Sequence, residues 1–116
     1  MTDTAKPLIT ITGILGKQGY SAARTLLQSG RYRVRGITRR IDSPDALELK
    51  QQGADLINIP LDLGYQNEFI EAFRGSYGVF MMTPSIAPPQ THEAELGKQL
   101  ADAAVEAGVK HIIFSS

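Results

Sequence analysis

The sequence predicts an α/β fold: a doubly wound parallel sheet of five strands in order 3-2-1-4-5, Rossmann-like in its alternation, with helices on both faces. Three observations carry this. Five short apolar runs alternate strictly with four segments of helical period along the 116 residues. The first run is β-branched at consecutive positions, as a strand buried on both faces must be. Glycines close the helical segments where a left-handed residue can stop a helix. Right-handed crossovers then lead to the strand order.

Leu8 to Thr12 is the first strand, ending at Gly13. A helix follows from Lys17 to Ser29, because Ala22, Ala23, Leu26 and Leu27 fall on one face and Gly30 supplies the stop. Tyr32 to Thr38 is the second strand. Ser43, Pro44 and Asp45 read as a cap, a first-turn proline and a dipole-matched acid, opening a helix that ends at Gly53. Leu56 to Ile59 is the third strand. Phe69, Ile70 and Phe73 mark a short helix closed by Gly75, and Val79 to Met82 form the fourth strand, running into Thr83 and Pro84. Leu96, Leu100, Ala103, Ala104 and Ala107 stripe a long helix from Thr91 to Ala107, stopped by Gly108. His111 to Phe114 is the fifth strand. Only Ser115 and Ser116 follow it, so residues 1–116 are expected to be the front portion of a longer protein, one domain lacking the C-terminal part of a full dinucleotide fold.

Hydrophobic residues make up 42% and charged residues 21%, the profile of an ordinary globular domain. Twelve basic residues balance twelve acidic ones, so no global field draws the chain to nucleic acid or an anionic membrane. The absence of cysteine removes disulfides and thiolate metal sites. Met1 to Pro7 is too polar for a secretory signal, and no apolar stretch nears the ~20 residues of a membrane span. A cytoplasmic location is expected, with the nucleus open to a regulator.

The chemistry concentrates in Gly13-Ile14-Leu15-Gly16-Lys17-Gln18-Gly19, between the first strand and the first helix. A glycine-rich turn there lets backbone N–H groups and the helix N-terminus face a pyrophosphate: Gly13 makes the turn, Gly16 permits close approach and Gly19 packs helix on strand. The competing reading is a purely structural turn. Lys17 either adds charge to the phosphate or is simply solvated.

At the end of the second strand an NAD enzyme carries an acid for the ribose 2′-hydroxyl, about twenty residues beyond the glycines. This chain has Thr38-Arg39-Arg40 instead. A guanidinium binds a 2′-phosphate that a carboxylate would repel, so NADP is expected over NAD, with Arg39 as reader and Arg40 as bystander. The alternative is that both arginines are solvated loop charges. Arg31, Arg33 and Arg35 read as a solvated or snorkelling edge. Asp62 and Leu63 follow the third strand and are candidates for the adenine border, and Thr83 follows the fourth near the nicotinamide ribose. Core filling is expected for at least one of Met81 and Met82. His92 and His111 offer no metal pair.

The string Ile9 to Gly19, followed by Ala23-Arg24-Thr25-Leu26-Leu27, resembles the NmrA-like family of atypical short-chain dehydrogenases. The likeness continues through Val34 to Arg39, Gln52-Gly53-Ala54, Gly97-Lys98, Ala107 to His111, and Ser115-Ser116. The resemblance implies an NADP-preferring Rossmann domain from relatives that are either reductases of small molecules or redox sensors acting through a protein partner. It would place Gly13, Gly16, Lys17, Gln18 and Gly19 at the pyrophosphate, Arg39 at the 2′-phosphate and Thr83 on the ribose side. Leu15 stands where relatives have a small hydroxyl residue, leaving backbone contacts there, and Leu61 replaces the small residue usual before Asp62. The resemblance implies that the catalytic Tyr or Lys of such enzymes would lie beyond Ser116.

Overall fold

The computed structural model describes residues 6–14, 17–60, 64–82 and 90–115. Its elements run β1 (Leu8–Thr12), α1 (Lys17–Ser29), β2 (Arg33–Ile37), α2 (Pro44–Gln51), β3 (Asp55–Ile57), α3 (Gln66–Phe73), β4 (Gly78–Met82), α4 (Gln90–Glu106) and β5 (His111–Ser115). The strands form one sheet in the order β3-β2-β1-β4-β5, every neighbouring pair parallel. The expected topology is therefore the one observed.

Two hydrophobic clusters, one on each face, hold the sheet between its helices. Ile9 and Ile11 of β1 join Ile14, Ala23, Val34, Leu49 and Ala54 on the side of α1 and α2. Phe69, Phe73, Leu96, Leu100, Ala103 and Ala104 pack from α3 and α4 against Ile37, Val79 and Met81 on the other. Because side chains alternate along a strand, Thr10 and Thr12 point away from Ile9 and Ile11, and both are completely buried. Thr10 satisfies its hydroxyl on Ser76 at 2.6 Å, as a buried polar group must. Met81 is core, as expected for one of the two methionines; the Met82 side chain lies outside the described residues.

Helix α1 has the expected bounds, and Gly30 stops it at φ 71°. Helix α2 opens as its sequence dictates: Ser43 is extended, its Oγ accepts the Ala46 N–H at 3.3 Å, and Pro44 follows. Strand β3 differs from expectation, running from Asp55 to Ile57 rather than from Leu56 to Ile59. Its ladder needs β2, whose last bond here is from Thr38 N–H to the Ile57 carbonyl. Ile59 is buried by α3 and α4 without belonging to the ladder.

The arginines of β2 require a correction. They do not form a solvated edge, because the strand is interior, between β3 and β1. Arg35 lies opposite Asp55 in register and donates to its carboxylate at 2.9 Å. Its guanidinium also reaches the Ala72 carbonyl at 2.8 Å, where the C-terminal end of α3 is electronegative. Arg33 donates to the Lys6 carbonyl at 3.1 Å. Only Arg31 is fully exposed.

Candidate nucleotide-binding site

Because all five strands are parallel, their carboxyl ends lie along one edge of the sheet, and the candidate residues follow those ends. Gly13 leaves β1 at φ 65°, a conformation that excludes most side chains. After Gly13 and Ile14 the chain enters α1 at Lys17. The exposed first-turn residues Lys17 and Gln18 precede Gly19, which is buried. A Cβ on Gly19 would stand 2.4 Å from the Gly13 carbonyl oxygen. This glycine is thus a packing requirement, the role its spacing suggested. Leu15 and Gly16 lie outside the described residues.

The first turn of α1 contains no acid. Its N-terminal N–H groups and dipole therefore meet no negative side chain of their own turn, and that end of the helix can take an external anion.

At the end of β2, Thr38 and the two arginines form a tight turn. The Thr38 hydroxyl accepts the Arg40 N–H at 3.1 Å, and the Arg40 carbonyl accepts the Ser43 N–H at 3.2 Å. Both guanidinium side chains are exposed, and among the described residues neither has an ion-pair partner. Thr38 is thereby engaged by the turn, while Arg39 projects from it.

A clasp links the two helices flanking this corner. Tyr20, directly after Gly19, donates its phenol to the Glu48 carboxylate on α2 at 2.9 Å. The Arg24 guanidinium lies 5.9 Å from the centre of the Tyr20 ring. The hydrogen bond to Glu48, with the carboxylate charges nearby, holds the Tyr20 hydroxyl above its ordinary pKa of 10.0.

Three expected site residues, Asp62, Leu63 and Thr83, lie outside the described residues. The next described residue after the first two is Gly64, whose N–H donates to the Gln99 side chain on α4 at 3.0 Å. Gln99 has no counterpart among the residues singled out from sequence; nothing in its helix-face position marks it. Ile14 was also passed over. It is fully buried although it belongs to the glycine loop, and it lies over Gly36 of β2. A large apolar residue inside a glycine loop and a lone glycine inside a strand were the available signals.

His111 opens β5 and stacks on Tyr77 with ring centres 4.8 Å apart. His92 falls in the first turn of α4, and its side chain lies outside the described residues. Among the described residues no three His, Asp or Glu side chains group as metal ligands, and no helix is long and apolar enough to cross a membrane.

Residues 5–116 match the model of the NmrA-like family. The chain is similar to the NmrA-like family domain-containing oxidoreductase himF of Aspergillus japonicus, at 41% identity over 94% of this chain and 34% of the relative. It is similar to lnaB of Aspergillus flavus, given the same description, at 42% identity over 96% of this chain and 34% of the relative. Among solved structures, NmrA, a negative transcriptional regulator, superposes with a TM-score of 0.82 in its complex with NADP, at 31% identity over 96% of this chain and 33% of that one. Its complex with NAD gives a TM-score of 0.81 at 30% identity, over 96% and 33%. The chain spans about a third of the length of the curated relatives it matches. With the family model covering nearly all of its residues and the sheet order of NmrA reproduced, the chain belongs to the NmrA-like family.

Proposed function

We propose that the chain is the dinucleotide-binding portion of an NAD(P)-dependent reductase of the NmrA-like family, with NADP preferred. One observation carries the preference: Arg39 ends β2 as an exposed guanidinium with no ion-pair partner among the described residues, where a 2′-hydroxyl reader would place an acid. Around it, Gly13 and Gly19 bring the loop and the acid-free end of α1 close together without side chains between them. Lys17 adds a positive charge beside that end. Leu15 and Gly16 would serve through backbone N–H groups, Gln18 as a pyrophosphate neighbour, Asp62 and Leu63 at the adenine and Thr83 on the nicotinamide ribose. Thr38 shapes the turn that presents Arg39.

The oxidoreductase relatives himF and lnaB support the enzymatic reading. A bound nicotinamide would supply the hydride, and the substrate would be a small molecule. General acid catalysis needs a positioned proton donor, and the phenol directly after the loop, Tyr20, already donates to Glu48. A second reading, a redox sensor that signals to a protein partner without turnover, is favoured by the likeness to NmrA, a regulator solved with both NADP and NAD.

Calorimetric titration of both dinucleotides into the wild type and Arg39→Asp tests the cofactor assignment. The charge-assisted contact is worth about 1.5 to 3 kcal/mol, roughly ten- to a hundredfold in affinity. Arg39→Asp should lose that much NADP affinity while holding or improving NAD, and the wild-type preference should shrink as salt rises. Equal wild-type affinity for the two would defeat the assignment.

A further inference from the structure

Ile14 belongs to the glycine loop by sequence and to the core by packing. Its side chain is fully buried, in the cluster that holds Ala23 of α1, Val34 of β2 and Leu49 of α2. It also sits directly over Gly36. A Cβ built on Gly36 would stand 2.2 Å from Ile14 Cδ1, 2.8 Å from Cγ2 and 2.9 Å from Cβ. No side chain fits at position 36 while Ile14 keeps its place.

The same stretch of loop is pressed from the helix side, where a Cβ on Gly19 would stand 3.1 Å from Ile14 Cα as well as 2.4 Å from the Gly13 oxygen. Gly13 and Ile14 are therefore held between two glycines, one on α1 and one on β2. A loop that presents backbone N–H groups to a ligand cannot be anchored by side chains on the ligand's side. Its anchor has to enter from behind, and Ile14 is the side chain that does so. Packed interiors transmit such constraints, because a displaced side chain has no free volume to move into.

We infer that Ile14, seated on Gly36, is a positioning residue that sets the height of the glycine loop over β1 and, through it, the affinity for the dinucleotide. It touches no cofactor itself. The inference rests on the dinucleotide-binding function proposed above, and it is separable from the Arg39 contact: the loop serves NAD and NADP alike, whereas Arg39 serves only NADP.

The experiment compares Gly36→Ala, Ile14→Ala and the double variant with the wild type, by calorimetric titration of NADP and NAD and by thermal melts. Gly36→Ala should weaken both dinucleotides by the same factor, about tenfold, equivalent to one lost hydrogen bond of about 1.4 kcal/mol. Ile14→Ala should weaken both in the same proportion to each other. The double variant should bind better than Gly36→Ala, because truncating Ile14 clears most of the space the new methyl needs. If Gly36→Ala does not fold, Ile14→Val, which removes only the outer methyl, should still weaken both dinucleotides by a common, smaller factor. Variants that melt lower yet bind with wild-type affinity would reduce Ile14 to an ordinary core residue and overturn the inference. So would a double variant no better than Gly36→Ala, or a changed NADP-to-NAD ratio, which would mean that the pair acts on the Arg39 turn. A wild type that binds neither dinucleotide sinks the proposed function itself, a result distinct from all of these.

Discussion

Helices α1 and α2 each begin just beyond a parallel strand at the same edge of the sheet, yet their first turns are built in opposite ways. Helix α2 satisfies itself: Ser43 caps an N–H, Pro44 has none to satisfy, and Asp45 faces the dipole. Helix α1 carries no acid in its first turn, begins with the cation Lys17, and packs through Gly19 against the Gly13 carbonyl. Among the described residues, the proline and the acid of the first turn of α2 have no counterpart in the first turn of α1. A helix end whose own turn supplies no acid is the better place for an external anion, so the contrast agrees with the role proposed for the α1 junction. Beyond β2 the arrangement is complementary: what that junction withholds in backbone N–H groups it offers as the Arg39 guanidinium.

The contrast is broken most severely at Gly19. Gly19→Ala places a methyl against main chain that cannot yield as a flexible side chain could. Overpacking of this kind costs about 1 to 3 kcal/mol, and the displaced loop should lose dinucleotide affinity by more than the tenfold expected of Gly36→Ala. Melting and titration of the same sample check both.

Lys17→Glu makes the first turn of α1 resemble that of α2, and its two effects should have opposite signs. The acid should stabilise the free protein by about 0.3 to 1 kcal/mol through the helix dipole, while NADP and NAD both bind several-fold more weakly through repulsion of the pyrophosphate. A melt that rises while both affinities fall is the expected result; unchanged affinities would mean that no phosphate sits at this helix end.

Ser43→Ala performs the converse operation on α2. Losing the cap should cost about 1 kcal/mol, with NAD binding as before, since the proposed site uses the α1 end and not that of α2. A loss of NAD affinity matching that of Lys17→Glu would erase the distinction between the two junctions.

The smallest effect concerns the clasp between the helices. The Tyr20 pKa is raised in the folded protein, so its contribution to stability is fully present below its ordinary value of 10.0 and is lost as pH climbs through the higher folded value. Tyr20→Phe should therefore lower the melting temperature slightly at neutral pH and flatten the alkaline decline. Parallel wild-type and variant curves throughout the alkaline range would show that the clasp does not titrate.

What sequence made legible was whatever depends on local chemistry. The bounds of α1 follow from its apolar face and Gly30, and the start of α2 from Ser43-Pro44-Asp45, since each residue acts on its immediate neighbours. The β1 run was recognisable because both its faces are covered, although Thr10 and Thr12 are buried polar residues whose partners no pattern could name. Strand β3 was misplaced because Ile59 is buried for the sake of α3 and α4, and burial alone does not say which ladder a residue joins. Arg33 and Arg35 were misjudged because alternating arginines look like solvent-facing positions, whereas their partners, the Lys6 carbonyl for Arg33 and Asp55 and the Ala72 carbonyl for Arg35, are far away in sequence. Of the candidate site, Gly13, Lys17, Gln18 and Gly19 lie at the β1–α1 junction and Thr38 and Arg39 just beyond β2, at the carboxyl ends of neighbouring strands, as the alternation of elements predicted. The Ile14 and Gly36 pair escaped notice because each signal, a large apolar residue in a glycine loop and a glycine inside a strand, gains its meaning only when the two are seen in contact.

The Arg35 bridge also gives the sheet an asymmetry of growth. The outer strand on that side, β3, has three residues, with the exposed Asp55 tied to Arg35 along it. So short and charged a rim is a poor template for an added strand. At the opposite rim, β5 has five residues, and Ile112 and Ile113 are 37% and 49% exposed. The guarded β3 rim leaves the β5 side as the one on which a further strand, of this chain or of another, would extend the sheet.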